Sequence, residues 1–131
     1  MIKIILDTNF LVYCAKQKID YLREIFEIIG GKIELIALSS GVSELEKLAE
    51  KARKLKDKES AELALKILKV HVKNKKIKIK KTDKNPDSAI KELAEKEKEI
   101  IIATADRKLK QAIKGKARIL SIRAGKKLEL T

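Results

Sequence analysis

At 131 residues, 44% apolar and 3% aromatic, the chain has material for one compact domain spanning 1–131 and little for a second. A single cysteine and a single histidine exclude an internal disulfide and a Cys/His zinc cage, so any metal must bind through oxygen. The formal charge of +13 points to a polyanionic partner, nucleic acid first, because phosphate contacts supply affinity regardless of sequence.

No apolar run reaches the roughly 18 residues needed to cross a bilayer, and Met1 leads straight into an apolar run without a charged leader, which together predict a cytoplasmic protein with no membrane partner. Many Lys, Glu and Ile with one Cys, one Met and no Trp is a composition reported for heat-adapted proteins, which suggests a thermophilic source.

Along the chain, Ile2 to Leu6 is apolar except for Lys3 and predicts a buried strand, after which Asp7, Thr8 and Asn9 offer capping side chains. Helices are predicted over about Phe10 to Lys16 and over Tyr21 to Ile29, the second ended by Gly30 and Gly31. Cys14, inside the first, reads as a buried small hydrophobe. Glu34 to Leu38 predicts a strand; Ser39, Ser40 and Gly41 then read as a turn and cap opening a helix with Leu45, Leu48, Ala49 and Ala52 inward and Glu44 in its first turn. A helix follows over Asp57 to His71, carried by Ala61, Ala64, Leu65 and Leu68, with His71 at its C-terminal end, where the dipole favours a cation.

Ile77 and Ile79 alternate with lysines as in a short strand with one wet, basic face. Asn85 and Pro86 open a helix with Asp87 in its first turn and Ile90, Leu93 and Ala94 inward. Glu99 to Thr104 predicts a buried strand, and Asp106 opens the helix of Leu109 and Ile113. Strands over Ala117 to Ile122 and Lys127 to Leu130 close the chain around Gly125. This alternation predicts a three-layer α/β domain with a mainly parallel sheet, whose ligands bind beyond the strands' carboxyl ends.

Most of the 19 acidic residues stand beside Lys or Arg on helix faces, where solvated ion pairs explain them. Four differ. Asp7 and Asp106 each follow an apolar strand and open a helix, while Glu44 and Asp87 fall early in helices whose other face is core. Capping explains any one of them. Four directed to one edge of a parallel sheet would repel one another unless a hard cation such as Mg2+ or Mn2+ sat between them, and such an ion suits phosphodiester hydrolysis.

The stretches "IILDTNFLV", "ALSSGVSELEKL", "NPDSAIKELAEK" and "IIIATADRKLK", in that order and at that spacing, resemble the PIN-domain ribonucleases over nearly the whole chain. The resemblance implies a parallel sheet flanked by helices, metal-dependent endoribonuclease activity, and Asp7, Glu44, Asp87 and Asp106 as acidic metal ligands. It implies Asn9 and Thr104 as polar neighbours of the first and last aspartates. Ala105 stands where the family often has Asn, and Asp83 is a nearby alternative to Asp87.

PIN proteins include VapC-like toxins, each opposed by an antitoxin, and ribosomal RNA-processing nucleases; the resemblance suggests a homodimer. Lys75, Lys76, Lys78 and Lys80, with Arg107 and Lys108, are the expected RNA contacts. A haloacid-dehalogenase-like phosphatase would want a second acid where Asn9 stands. A non-catalytic RNA binder would have no use for four acids where phosphates dock. No Walker or G-x-G-x-x-G motif is present, so no nucleotide cofactor is expected.

Overall fold

The computed structural model describes residues 1–124 and 126–131; Gly125, around which the last two strands were expected, lies outside them. In chain order the elements are β1 (Ile2–Leu6), α1 (Thr8–Gln17), α2 (Tyr21–Ile29), β2 (Ile33–Leu38), α3 (Ser39–Lys51), α4 (Leu55–Lys73), β3 (Ile77–Lys80), α5 (Pro86–Lys96), β4 (Ile100–Ala103), α6 (Arg107–Ile113), β5 (Arg118–Arg123) and β6 (Lys127–Leu130).

The sheet runs β3-β2-β1-β4-β5-β6. Its first five strands are parallel, and β6 pairs antiparallel to β5 with Leu120 opposite Leu130. Parallel strands covered on both faces need apolar side chains at every position, and all four β4 residues are buried. One face packs Ile4, Leu6, Leu35, Ala37 and Ala103 against Phe10, Ile25, Leu45 and Leu68 of α1 to α4. The other packs Ile5, Ile36 and Ile102 against Ile90, Ala94, Leu109 and Ile113 of α5 and α6. The result is the expected three-layer, mainly parallel α/β architecture. No helix among the described residues is long and apolar enough to cross a membrane.

The chain winds from β1 outward through β2 to β3, then returns to place β4 on the opposite side of β1. A crevice therefore opens beyond the carboxyl ends of β1 and β4, where chain directions diverge. Asp7 N–H donates to Ala103 O at 2.9 Å, which carries the ladder one residue past the end of β1, against the last residue of β4.

Three local readings change. First, α3 begins at Ser39 rather than after a Ser-Ser-Gly turn; its cap is extended Leu38, which supplies no side-chain hydrogen bond. The Ser39 hydroxyl is spent elsewhere, accepting from Thr82 N–H at 2.9 Å. Glu44 consequently sits in the second turn of α3, not the first. Second, Ile77 is buried but Ile79 is 38% exposed, at the outer end of β3, the edge strand of the sheet. Third, His71 stacks edge-on against Tyr21 at 5.7 Å between ring centroids, and burial lowers its pKa below the ordinary 6.5. It keeps the expected place in the last turn of α4, but its partial burial against Tyr21 opposes the charge that the helix dipole would favour. Cys14 is buried as expected, its thiol pushed up to about 12 by burial.

Candidate active site

At the crevice, Asp7 caps α1 through Oδ1, which accepts from Thr8 N–H at 2.9 Å. Its Oδ2 accepts from the Thr104 hydroxyl at 2.7 Å. Thr104 is fully buried, so its one hydroxyl must satisfy its own surroundings. It also accepts the Asp106 N–H at 3.1 Å, so one threonine positions both aspartates. Asn9 Oδ1 accepts from Ala105 N–H at 3.0 Å and lies 3.2 Å from Thr104 Oγ1. Ala105 therefore joins the network through its backbone, and Asn9 and Thr104 stand beside the first and last aspartates.

Asp106 caps α6, its Oδ1 accepting from Lys108 N–H at 2.9 Å and Leu109 N–H at 3.3 Å. Burial is the chief cause that raises the Asp7 carboxyl above its ordinary 3.8; bonds from Thr104 and Thr8 oppose it, and the charges of Glu44 and Asp106 add to it. Asp7, Glu44 and Asp106 thus share one electrostatic field. Thr8, expected from the sequence as a capping side chain, leaves the cap to Asp7; its hydroxyl instead donates to Gly41 O at 3.1 Å, which pins the first turn of α3 beside α1. A Cβ at Gly41 would stand 3.2 Å from that hydroxyl. The signal was available as a small residue at a helix start, but the partner lay 33 residues away.

Glu44 is exposed on α3 and lines a groove with Ser40 and Asp83. Asp87 stands apart: it is exposed, and its carboxylate is 2.9 Å from Lys91 Nζ one helical turn on. Among the described residues no three acidic, His or Cys side chains are grouped closely enough to hold an ion. The expected convergence of four carboxylates is therefore not formed. The donors nevertheless fit a hard divalent cation in kind, being carboxylate oxygens around a buried acid that the neighbouring charges make costly to ionise.

The expected RNA contacts divide between two ends of the sheet. Arg107 and Lys108 are exposed immediately after Asp106, and Lys80 ends β3 on the same edge. Lys78 is exposed within β3, while Lys75 and Lys76 precede it at the opposite end. At about 3.3 Å per residue, Lys76 lies on the order of 13 Å from Lys80.

A family model described as a PIN-like domain matches residues 4–125. The ribonuclease VapC4 of Methanocaldococcus jannaschii is 39% identical over 113 residues, 86% of this chain and 83% of that protein. Among solved structures, the PIN domain endonuclease Utp24 aligns with a TM-score of 0.73 at 24% identity, over 98% of this chain and 90% of that one. A domain of a functionally unknown protein from Methanocaldococcus jannaschii aligns with a TM-score of 0.64 at 22% identity, over 100% and 99%. These two structures speak to the fold alone.

Proposed function

The chain belongs to the PIN-like domain family, and from that membership we propose that it is a metal-dependent endoribonuclease that hydrolyses RNA phosphodiester bonds. The observation that carries the reading is the Asp7–Thr104–Asp106 assembly, one buried hydroxyl tying together two acids at the crevice of a parallel sheet. Asp7 and Asp106 would hold Mg2+ or Mn2+; Glu44, exposed on α3 but within reach of the Asp7 charge, would join by turning its side chain inward, and Asp87 by releasing Lys91. When bound, such an ion supplies positive charge to phosphate oxygens and acidifies a water near neutral pH.

The chain's own residues do the rest. Thr104 fixes the direction of Asp7, Asn9 holds the turn at Ala105, and Arg107 and Lys108 offer positive charge to phosphates flanking the cleaved bond. The 39% identity to a protein named ribonuclease VapC4 favours the VapC-like side of the family over ribosomal RNA processing; a toxin role, a protein antitoxin and a homodimer belong to this reading through the family resemblance alone. Purified protein is expected to cut single-stranded RNA with Mg2+ or Mn2+, to stop in excess chelator, and to turn over poorly with Ca2+, whose looser coordination positions reacting groups less well. Undiminished cleavage in chelator would remove the metal from the reaction.

A further inference from the structure

Between α3 and the β3–α5 connection lies a groove of about 570 Å³, within the roughly 300 to 1,000 Å³ of sites that take small-molecule-sized groups. Its walls include Ser40, Ser43, Glu44, Lys47, Asp83 and Lys84. We infer that this groove reads the ribose of the nucleotide beside the cleaved phosphate, with Asp83 and Ser40 recognising the 2′-hydroxyl and so selecting RNA over DNA. The inference rests on the ribonuclease reading and assigns that reading's substrate selectivity.

Charge argues for a sugar rather than a phosphate. Each wall carries one acid and one lysine, Glu44 and Lys47 on α3 and Asp83 and Lys84 in the β3–α5 connection, and Lys84 is already engaged by Glu92. A surface with no net positive charge is a poor seat for a phosphate but suits a neutral group bearing hydroxyls. Hydroxyls are what the wall offers: the Ser40 Oγ is closed to solvent and has no hydrogen-bond partner among the described residues. Such an unpaired group costs stability, and because it is closed to solvent as placed, it meets a hydroxyl in the groove only by rotating outward. A turn about Cα–Cβ moves it between staggered positions.

The opposite wall is held in place, since Ser39 Oγ accepts from Thr82 N–H at 2.9 Å and sits 3.3 Å from Thr82 O. Asp83, next to Thr82, is exposed there. A carboxylate is a common acceptor for a ribose 2′-hydroxyl, and that hydroxyl both donates and accepts. It can donate to Asp83 while accepting from Ser40. Glu44 lines this groove from α3, whose first turn is tied to Thr8, next to Asp7, by the 3.1 Å bond from the Thr8 hydroxyl to Gly41 O, so a sugar in the groove lies beside the Asp7 edge.

The test measures binding of one oligoribonucleotide and the oligodeoxyribonucleotide of the same sequence to the full chain, in chelator at low salt. The parent is expected to prefer RNA. Ser40→Ala and Asp83→Ala are each expected to lower the RNA-to-DNA affinity ratio by roughly three- to tenfold, the worth of one hydrogen bond. The ratio is the readout because removing the Asp83 charge strengthens binding of any polyanion. Ser40→Ala loses no existing bond and is expected to melt no lower than the parent, which separates recognition from misfolding. A parent without RNA preference, or ratios unmoved in both variants, would overturn the assignment. Cleavage is scored separately in Mg2+: no cutting with the RNA preference intact would sink the nuclease reading and leave the ribose groove standing.

Discussion

At Asp7 two demands conflict. The carboxylate must cap α1 and accept from Thr104, yet burial and two neighbouring acids resist its charge. Its raised pKa means that the folded state holds the proton more tightly than the unfolded chain. Stability without metal therefore falls as pH rises from the ordinary 3.8 through the raised value, and is level above it. Asp7→Asn removes that dependence. Its amide oxygen can still take the Thr8 N–H, and its amide nitrogen can donate to Thr104, whose own proton then turns to Asn9 3.2 Å away. The melting temperature of the variant minus that of the parent, in chelator, is expected to climb across this pH window and then plateau. A difference flat with pH would mean that Asp7 carries no such strain.

Among the elements, the legible ones were those whose signal is local. The unbroken apolar run of β4 announces a strand covered on both faces, and Asn85 followed by Pro86 marks the start of α5, where Asn85 Oδ1 does accept from Ser88 N–H at 2.9 Å. What sequence could not show depended on distant partners. Ser39 fails to cap α3 because Thr82, 43 residues on, claims its hydroxyl, and that shifts Glu44 by a turn. His71 is drawn into packing by Tyr21 from another helix, edge-on at 5.7 Å between ring centroids, and that burial lowers its pKa. The direction of Asp87 was legible and passed over, since Lys91 at i+4 is a natural partner on a helix face. An exposed pair of this kind contributes only about 0.2–1 kcal/mol, so a bound ion could recruit Asp87 cheaply. If Asp87 is the fourth ligand, Lys91→Ala frees it and is expected to tighten Mn2+ binding by roughly two- to fivefold. Unaltered affinity in a calorimetric titration would place Asp87 outside the site.

Over the whole molecule, the excess of 13 positive charges attracts RNA but does not by itself say where RNA runs. The carboxyl edge of the sheet offers Lys80, Arg107 and Lys108 beside the aspartates, while Lys75 and Lys76 lie at the far end. Replacing Arg107 and Lys108 with Ala is expected to reduce the slope of log affinity against log salt by roughly one per residue, and the Lys75 and Lys76 pair to reduce it less. Equal effects of the two pairs would mean that RNA wraps the sheet end to end.

The central claim, that acids at this edge act in metal-dependent RNA cleavage and are not merely helix caps, is tested most directly by Asp106→Asn. Asn caps about as well as Asp, so the bonds to Lys108 and Leu109 N–H can persist while one charge leaves the field around Asp7. Cleavage of single-stranded RNA in Mg2+ should be lost in this variant and kept in Asp57→Asn, whose carboxylate is exposed and pairs with Lys16 away from the edge. In chelator, Asp106→Asn should melt no lower than the parent. An Asp106→Asn protein that cuts RNA at the parental rate would contradict the account.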